Sequence, residues 1–343
     1  MTLAIHSVRS LARSPGAKVR SHDVGGTGYR SDMTFDFALA RGDFDSATYQ
    51  RESVNLTVES GIRGAVVAAV RENGEFAVVF AGNKPALWQP ESERLEALVS
   101  AVPDSSVWFM GRTPDGFPLL VVVLPDDLNG AGSLFSVLPG NVHWMEIMDF
   151  APELEDLASS LLVTQATALL AWHSSTKFCP RCGSLLAPGS AGWTARCAKC
   201  GNIEYPRTDP AVIVAVLDPE DRLLLAHNVL WPTSRMSLPA GYVDAGESAE
   251  RAVPRELREE VGIEVFDLRY LGSQPWPRPR SLMLAYSART GDTVPVPDNV
   301  EIDRARFFTR DELRQAVDSA EVQLPGPASV AHTVIDLWLR GEL

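Results

Sequence analysis

The sequence predicts an α+β chain of more than one domain, and three observations carry that prediction. Short strand-like runs separated by turn residues fill the chain up to about residue 150. Two Cys-x2-Cys pairs sit at mid-chain. Beyond them, buried-type strands alternate with helical runs, one of which is crowded with glutamate. The chain has 343 residues, 45% of them hydrophobic, enough for two cores or more. Its formal net charge of −13 argues against a broad electrostatic grip on nucleic acid. Phosphate chemistry on such a surface needs a local metal or arginine. No apolar run reaches membrane-spanning length. Arg, Lys and Gly interrupt any signal-peptide core at the amino terminus, so the cytoplasm is the expected compartment.

Residues 1–32 are Arg-, Ser- and Gly-rich without a sustained hydrophobic period, and read as a flexible extension. Met33 opens the first patterned stretch and is itself a candidate start. Residues 33–150 form an α/β or β-rich amino-terminal domain. Its strand runs begin near Gly64, Glu75, Ser106 and Pro118, with turns at Glu72-Asn-Gly, Thr113-Pro-Asp-Gly and Asn129-Gly. It holds no catalytic constellation, and structural support or dimer formation is its expected role. Residues 151–176 carry Leu154, Leu157, Leu161, Leu162, Ala166, Leu169 and Leu170 at helical spacing and predict a connecting helix from Pro152 to about Trp172. His173 lies just past it, as a surface or cap residue.

Residues 177–206 contain Cys179-Pro-Arg-Cys182 and Cys197-Ala-Lys-Cys200, separated by fourteen residues. Two such knuckles can set four thiolates tetrahedrally around Zn²⁺. Two disulfides or a redox pair are the other readings. A reducing compartment disfavours the first and repetition of the motif disfavours the second. The gap predicts a hairpin with Pro188-Gly189 at its turn. Residues 207–343 then predict strands over 211–217, 222–227, 266–271, 281–287 and 301–308, and helices over about 311–317 and 329–340.

The chemistry concentrates in Gly241 to Ile263. Glu256, Glu259 and Glu260 fall at i, i+3 and i+4 and share one helix face. Like charges there repel, and the last two sit near the negative end of the helix dipole. A divalent cation reverses both penalties, and hard cations such as Mg²⁺ take carboxylate oxygens. A solvated acidic surface is the bland alternative, and the spacing decides between them. The stretch fits G-x5-E-x7-R-E-U-x-E-E-x-G-U, with U aliphatic, through Gly241, Glu247, Arg255, Glu256, Leu257, Glu259, Glu260, Gly262 and Ile263.

This stretch resembles the Nudix box, the signature of enzymes that hydrolyse diphosphates linked to another moiety. A second motif, Ser273-Gln-Pro-Trp-Pro-Arg-Pro-Arg-Ser281, resembles the loop of the Nudix NADH pyrophosphatases. That family also carries a zinc ribbon followed by a Tyr-Pro-Arg-x-Asp-Pro-like segment, here starting at Tyr205. The resemblance is specific from about Leu161 to Leu339 and only architectural before that. It implies a Nudix fold, a mixed sheet between helices, behind the ribbon and the β-rich domain. It implies hydrolysis of NADH or NAD⁺ to AMP and nicotinamide mononucleotide, with removal of NAD caps from RNA as the alternative use of the same site. A non-catalytic zinc-ribbon binding module is the reading from another class, and the intact glutamate set argues against it. By resemblance, Glu256, Glu259, Glu260 and Glu301 bind Mg²⁺ or Mn²⁺, and Glu260 is also the candidate base. Glu247 and Arg255 form an orienting ion pair, and Cys179, Cys182, Cys197 and Cys200 hold structural zinc. Tyr242 stacks on the nicotinamide. Tyr205, Ile213, Gln274, Trp276, Ser281 and Ala331 belong to the nucleotide pocket, part of which a second subunit of a homodimer supplies.

Three departures stand out. Arg278 replaces an aromatic of the signature loop and can stack or pair with phosphate. Gly192 stands where some relatives carry an acidic residue reaching the substrate. Pro254 falls inside the box helix and predicts a kink or a start near Val253, because an interior proline costs about 3 kcal/mol. The three prolines predict a stiff loop that shows the face of Trp276.

Overall fold

The computed structural model describes residues 36–54, 56, 62–127 and 137–343. The predicted extension, residues 1–32, and the Asn129-Gly turn lie outside the described residues.

The amino-terminal sheet comprises β1 (Val66–Arg71), β2 (Glu75–Ala81), β3 (Lys84–Leu87), β4 (Val107–Arg112), β5 (Pro118–Leu124) and β6 (His143–Glu146). Its order is β3-β2-β1-β5-β4, with β6 also on β2. Only β1 and β5 run parallel, from Val66↔Leu119 to Arg71↔Leu124. Side chains alternate across the sheet as the pleat requires. Val67 and Ala69 face one core with Leu95, Leu98 and Val99 of helix α1 (Ser92–Ser100). Ala68 and Val70 face the other, with Phe150 of the short α2 (Ile147–Phe150) and with α3 (Leu157–Ser175). Helices cover both faces of this sheet, within the α/β or β-rich domain that the strand pattern predicts.

Helix α3 is the predicted connecting helix, starting later than Pro152, which lies in a 3₁₀ turn (Ala151–Glu153). Asp156 sets the start by accepting the Ser159 N–H at 2.9 Å. The helix is buried on most sides. Its inward Thr164 and Thr167 spend their hydroxyls on the carbonyls of Ser160 and Val163, at 3.0 and 2.8 Å.

The ribbon is a three-stranded sheet of β7 (Leu186–Gly189), β8 (Thr194–Cys197) and β9 (Ile203–Glu204). Pro188 and Gly189 are in β7, paired with Ala195 and Thr194, and not at the turn. The reversal falls on Ser190–Gly192, where Ser190 and Ala191 take left-handed φ of 47° and 49° and Gly192 takes 97°. Trp193 anchors this tip by donating Nε1–H to the Phe109 carbonyl at 2.9 Å. His173, inside α3 and not past it, meets the Gly192 carbonyl at 2.8 Å and packs on Trp108 and Trp172.

The carboxyl-terminal sheet comprises β10 (Asp209–Leu217), β11 (Leu223–Asn228), β12 (Ala240–Tyr242), β13 (Val265–Trp276), β14 (Ser281–Thr290) and β15 (Ile302–Phe308). Its order is β13-β14-β10-β11-β15, and β12 also pairs with β10. It is mixed, since β10 and β14 run parallel over nine pairs from Asp209↔Ser281 to Leu217↔Arg289. Val212, Val214 and Val216 face α4 (Ala249–Val261) through its Ala252, Val253, Leu257 and Val261. Ile213, Ala215 and Leu217 face α5 (Arg310–Asp318) and α6 (Val330–Arg340). A fully buried central strand of this kind reads as a continuous apolar run, which is how it was legible.

The signature loop is shorter than the prolines suggest. Gln274, Pro275 and Trp276 pair with Met283, Leu282 and Ser281, so the strand runs to Trp276 and only residues 277–280 turn. Pro275 is tolerated because β13 is the edge strand. Residues 36–40 bridge the two halves. Phe37 is 2% exposed in the carboxyl-terminal core, while Leu39 is fully buried in the amino-terminal one.

Candidate active site

The box helix begins at Ala249, behind the Ser248 N-cap, and passes through Pro254, so the late start near Val253 does not occur. It stops at Gly262, whose φ of 63° lets its N–H reach the Arg258 carbonyl at 3.2 Å. The helix lays its apolar stripe on the sheet, which leaves Glu256 and Glu260 at the margin of the core and Glu259 exposed. Gly241 is required here for space. A Cβ on it would overlap the carboxyl carbon and both oxygens of Glu256, so glycine lets that carboxylate lie flat against β12.

Arg255 organises the acidic groups. It donates Nε–H and Nη2–H to the two oxygens of Glu247 at 2.9 and 2.8 Å, a bidentate pair. Its Nη2 also reaches the Tyr242 carbonyl at 2.9 Å. Its Nη1 lies 3.0 Å from Glu256 and 3.2 Å from Glu259. The guanidinium, helped by the Asp244 N–H, holds the Glu247 carboxyl down to about 2. It pulls Glu256 downward as well, but burial outweighs it and Glu256 titrates above the ordinary carboxylate range.

Glu260 is the most perturbed acid. It is 7% exposed, and its Oε2 is buried with no hydrogen-bond partner. Burial first, then the charges of Glu256, Glu301, Asp298 and Glu259, push it up to about 8. A buried oxygen without a donor beside four like charges is a site that lacks a positive partner, and a carboxylate set of this type suits a hard divalent cation. No three of Glu256, Glu259, Glu260 and Glu301 converge to within 4.8 Å among the described residues. Arg255 Nη1 stands between two of them, Glu256 and Glu259.

Glu301 sits at the foot of β15, where its carbonyl accepts the Val229 N–H at 2.9 Å. Its position depends on a residue the sequence reading missed. Asp298 accepts the N–H groups of Val300, Glu301 and Ile302 at 3.1, 3.2 and 2.9 Å, and its own N–H donates to the Glu260 carbonyl at 3.0 Å. One aspartate thus ties the Glu301 loop to the end of α4. The signal was a Pro-Asp-Asn turn, which marks a loop but says nothing of where it lands.

The expected pocket residues divide between two settings. Tyr242 and Tyr205 are exposed, at 53% and 63%, and the Tyr242 hydroxyl is 3.4 Å from Ser281 Oγ. Ile213 and Ala331 are buried on the α6 side of the sheet, away from α4. Gln274 is fully buried and committed at both ends, accepting from Leu39 N–H at 3.4 Å and donating to the Ala328 carbonyl at 3.0 Å. Trp276 is half-buried against the amino-terminal core. Arg278 neither stacks nor stands free for phosphate, because it pairs with Glu146 at 3.0 Å. Gly192 is buried under Trp108, where any Cβ would collide with the indole.

The four cysteines do converge, with all ligand atoms within 4.8 Å of one another. Cys179 and Cys200 Sγ are 3.6 Å apart and Cys182 and Cys197 Sγ 3.4 Å. Four sulfurs on a zinc at 2.3 Å would lie about 3.8 Å apart, so the set fits that ion. The knuckles match each other: Gly183 N–H returns to the Cys179 carbonyl and Gly201 N–H to the Cys197 carbonyl, both at 2.9 Å. The Ser184 N–H and hydroxyl hold the Cys182 thiol below its usual range, toward the thiolate that a metal takes.

Residues 207–325 match the NUDIX domain, and residues 174–205 match the NADH pyrophosphatase zinc ribbon domain. The chain is similar to "NAD-capped RNA hydrolase NudC" of Mycobacterium bovis (strain BCG / Pasteur 1173P2) and of Mycobacterium tuberculosis (strain ATCC 25618 / H37Rv). Each is 45% identical over 201 residues, covering 54% of this chain and 63% of that protein. It is also 36% identical over 191 residues to "NAD-capped RNA hydrolase NUDT12" of Homo sapiens, covering 52% of this chain and 41% of that one. The chain spans less than two thirds of the length of these relatives. With its glutamate helix on a mixed sheet and its four-cysteine ribbon ahead of it, the chain carries a NUDIX domain behind an NADH pyrophosphatase zinc ribbon domain.

Proposed function

We propose that this chain hydrolyses the diphosphate of NADH or NAD⁺ to AMP and nicotinamide mononucleotide, and that the same site removes NAD caps from RNA. The observation that carries the reading is the buried Glu260, with an unpartnered oxygen, facing Glu256, Glu259 and Glu301. Glu256, Glu259, Glu260 and Glu301 would hold Mg²⁺ or Mn²⁺. When bound, the ion supplies positive charge to the diphosphate oxygens as negative charge builds on them. The rest falls to side chains. Arg255, locked by Glu247, fixes the spacing of Glu256 and Glu259. Glu260 Oε2 takes the proton of the attacking water, a role open to it because that oxygen has no hydrogen-bond partner. Tyr242 offers an exposed ring to the nicotinamide.

Cys179, Cys182, Cys197 and Cys200 would hold a zinc ion, and with all four thiolates used that ion would serve a structural role. The names of the relatives favour the RNA cap as a substrate beside the free dinucleotide. Among the described residues no helix is long and apolar enough to cross a membrane. A cytoplasmic homodimer is the setting that the family resemblance supports. Incubating the purified protein with NADH and Mn²⁺ tests the reading. The expected products are AMP and reduced nicotinamide mononucleotide. Intact NADH after prolonged incubation at several metal concentrations would overturn it.

A further inference from the structure

The ribbon is electrically unlike the rest of the chain. Between residues 177 and 207 stand five cations, Lys177, Arg181, Arg196, Lys199 and Arg207, against one carboxylate, Glu204, in a chain of net charge −13. All five are exposed. Arg196 lies 3.8 Å from Glu52, whereas the other four have no ion-pair partner among the described residues.

They are spread along the ribbon up to the start of β10. Arg181 and Lys199 hold equivalent positions in the two knuckles, each one residue before a cysteine of the same thiolate cluster. Arg207 lies four residues before Ala211, which pairs with Tyr242 at the candidate site. Extended chain covers that separation in about 14 Å, two to three nucleotides of backbone. Two aromatics are interleaved with the cations: Phe178 is 62% exposed and Tyr205 63%. Free cations among exposed rings suit a strand whose phosphates are accessible and whose bases are unstacked, so they suit single-stranded RNA. The acidic remainder of the surface repels the same polymer and confines it to this strip.

We infer that the exposed face of the ribbon, from Arg181 and Lys199 to Arg207, binds the single-stranded RNA that follows a NAD cap, an inference resting on the proposed reaction. The surface would give capped RNA an affinity that free NADH lacks, without touching the hydrolytic residues.

The test uses the full chain and an uncapped, labelled, single-stranded 12-mer RNA, with fluorescence anisotropy read across a KCl series. The variant K177Q/R181Q/K199Q/R207Q is expected to bind about tenfold more weakly, and its log-log salt slope to fall by about 3, near 0.7 per lost phosphate contact. Its bound zinc and its NADH hydrolysis are expected to match wild type. R207Q, outside the knuckles, serves as the second variant and is expected to lower the slope by about 0.7. Unchanged RNA binding in both variants overturns the inference. So does zinc loss with RNA binding intact, which would mean that the cations only offset the thiolate charge. Wild-type binding to polyglutamate and not to RNA overturns it too, in favour of an acidic protein partner. If the slope falls as expected while neither NADH nor capped RNA is hydrolysed, the surface stands and the reaction is what fails.

Discussion

Glu260 makes the coupling between charge, stability and chemistry measurable at a single residue. In the folded protein its carboxyl keeps its proton up to about 8, while the unfolded chain releases it near the ordinary 4.5. Between those values the native state binds more protons than the unfolded state. Its contribution to the stability of the metal-free protein is therefore fully present below about 4.5 and is lost as pH rises toward 8. Glu260→Gln removes the titration while keeping the shape. Metal-free E260Q is expected to melt above wild type at pH 8, to differ less at pH 5, and to lose about a hundredfold in NADH hydrolysis. Melting curves at the two pH values, paired with rates in Mn²⁺, check this, and identical pH dependence in both proteins would remove the assignment. The box glutamates were legible because a fixed spacing on a helix states which side chains share a face. Asp298 was not, because its role comes from three backbone N–H groups that gather only when the loop closes.

At the scale of elements, α4 carries a proline that local rules oppose. Pro254 has no N–H to offer the Glu250 carbonyl one turn back, yet the helix runs unbroken from Ala249 to Val261. Burial of Ala252, Val253, Leu257 and Val261 against the sheet outweighs that loss. Pro254→Ala is expected to raise unfolding free energy by about 1–3 kcal/mol, read as a shift in denaturant midpoint at constant slope. No shift would mean that the helix bends there and packs well because of it. The same contest explains where local signals misled. Pro188-Gly189 and Ser273–Trp276 carry turn-like residues, but cross-strand pairing claims both stretches. The turn went instead to Ser190 and Ala191, residues with no intrinsic liking for left-handed backbone. Helix α1 was legible and overlooked: Leu95, Leu98 and Val99 recur at helical spacing in a short run.

For the whole molecule, the ribbon and the two large sheets depend on different forces. Both sheets have cores on each face, whereas β7, β8 and β9 are two to four residues long and lean on the cysteine cluster. Stripping zinc with a chelator is expected to abolish amide protection across residues 177–205 while β10 and α4 stay protected, as hydrogen exchange would report. Simultaneous loss in β10 would show that the ribbon and the carboxyl-terminal domain unfold together. The motifs marked the ribbon and the candidate site because metal ligation imposes strict spacing. How the halves join was hidden, since it rests on a few side chains far apart in sequence, such as Arg278 with Glu146. Residues 36–40 show what that implies. Their two hydrophobic feet stand in separate cores, and Gln274 grips the backbone between them. A gene fragment opening at the ribbon would encode every proposed hydrolytic residue and still leave an empty socket where Phe37 belongs. A fragment that keeps both cores filled therefore includes a segment lying some two hundred residues ahead of the glutamate box.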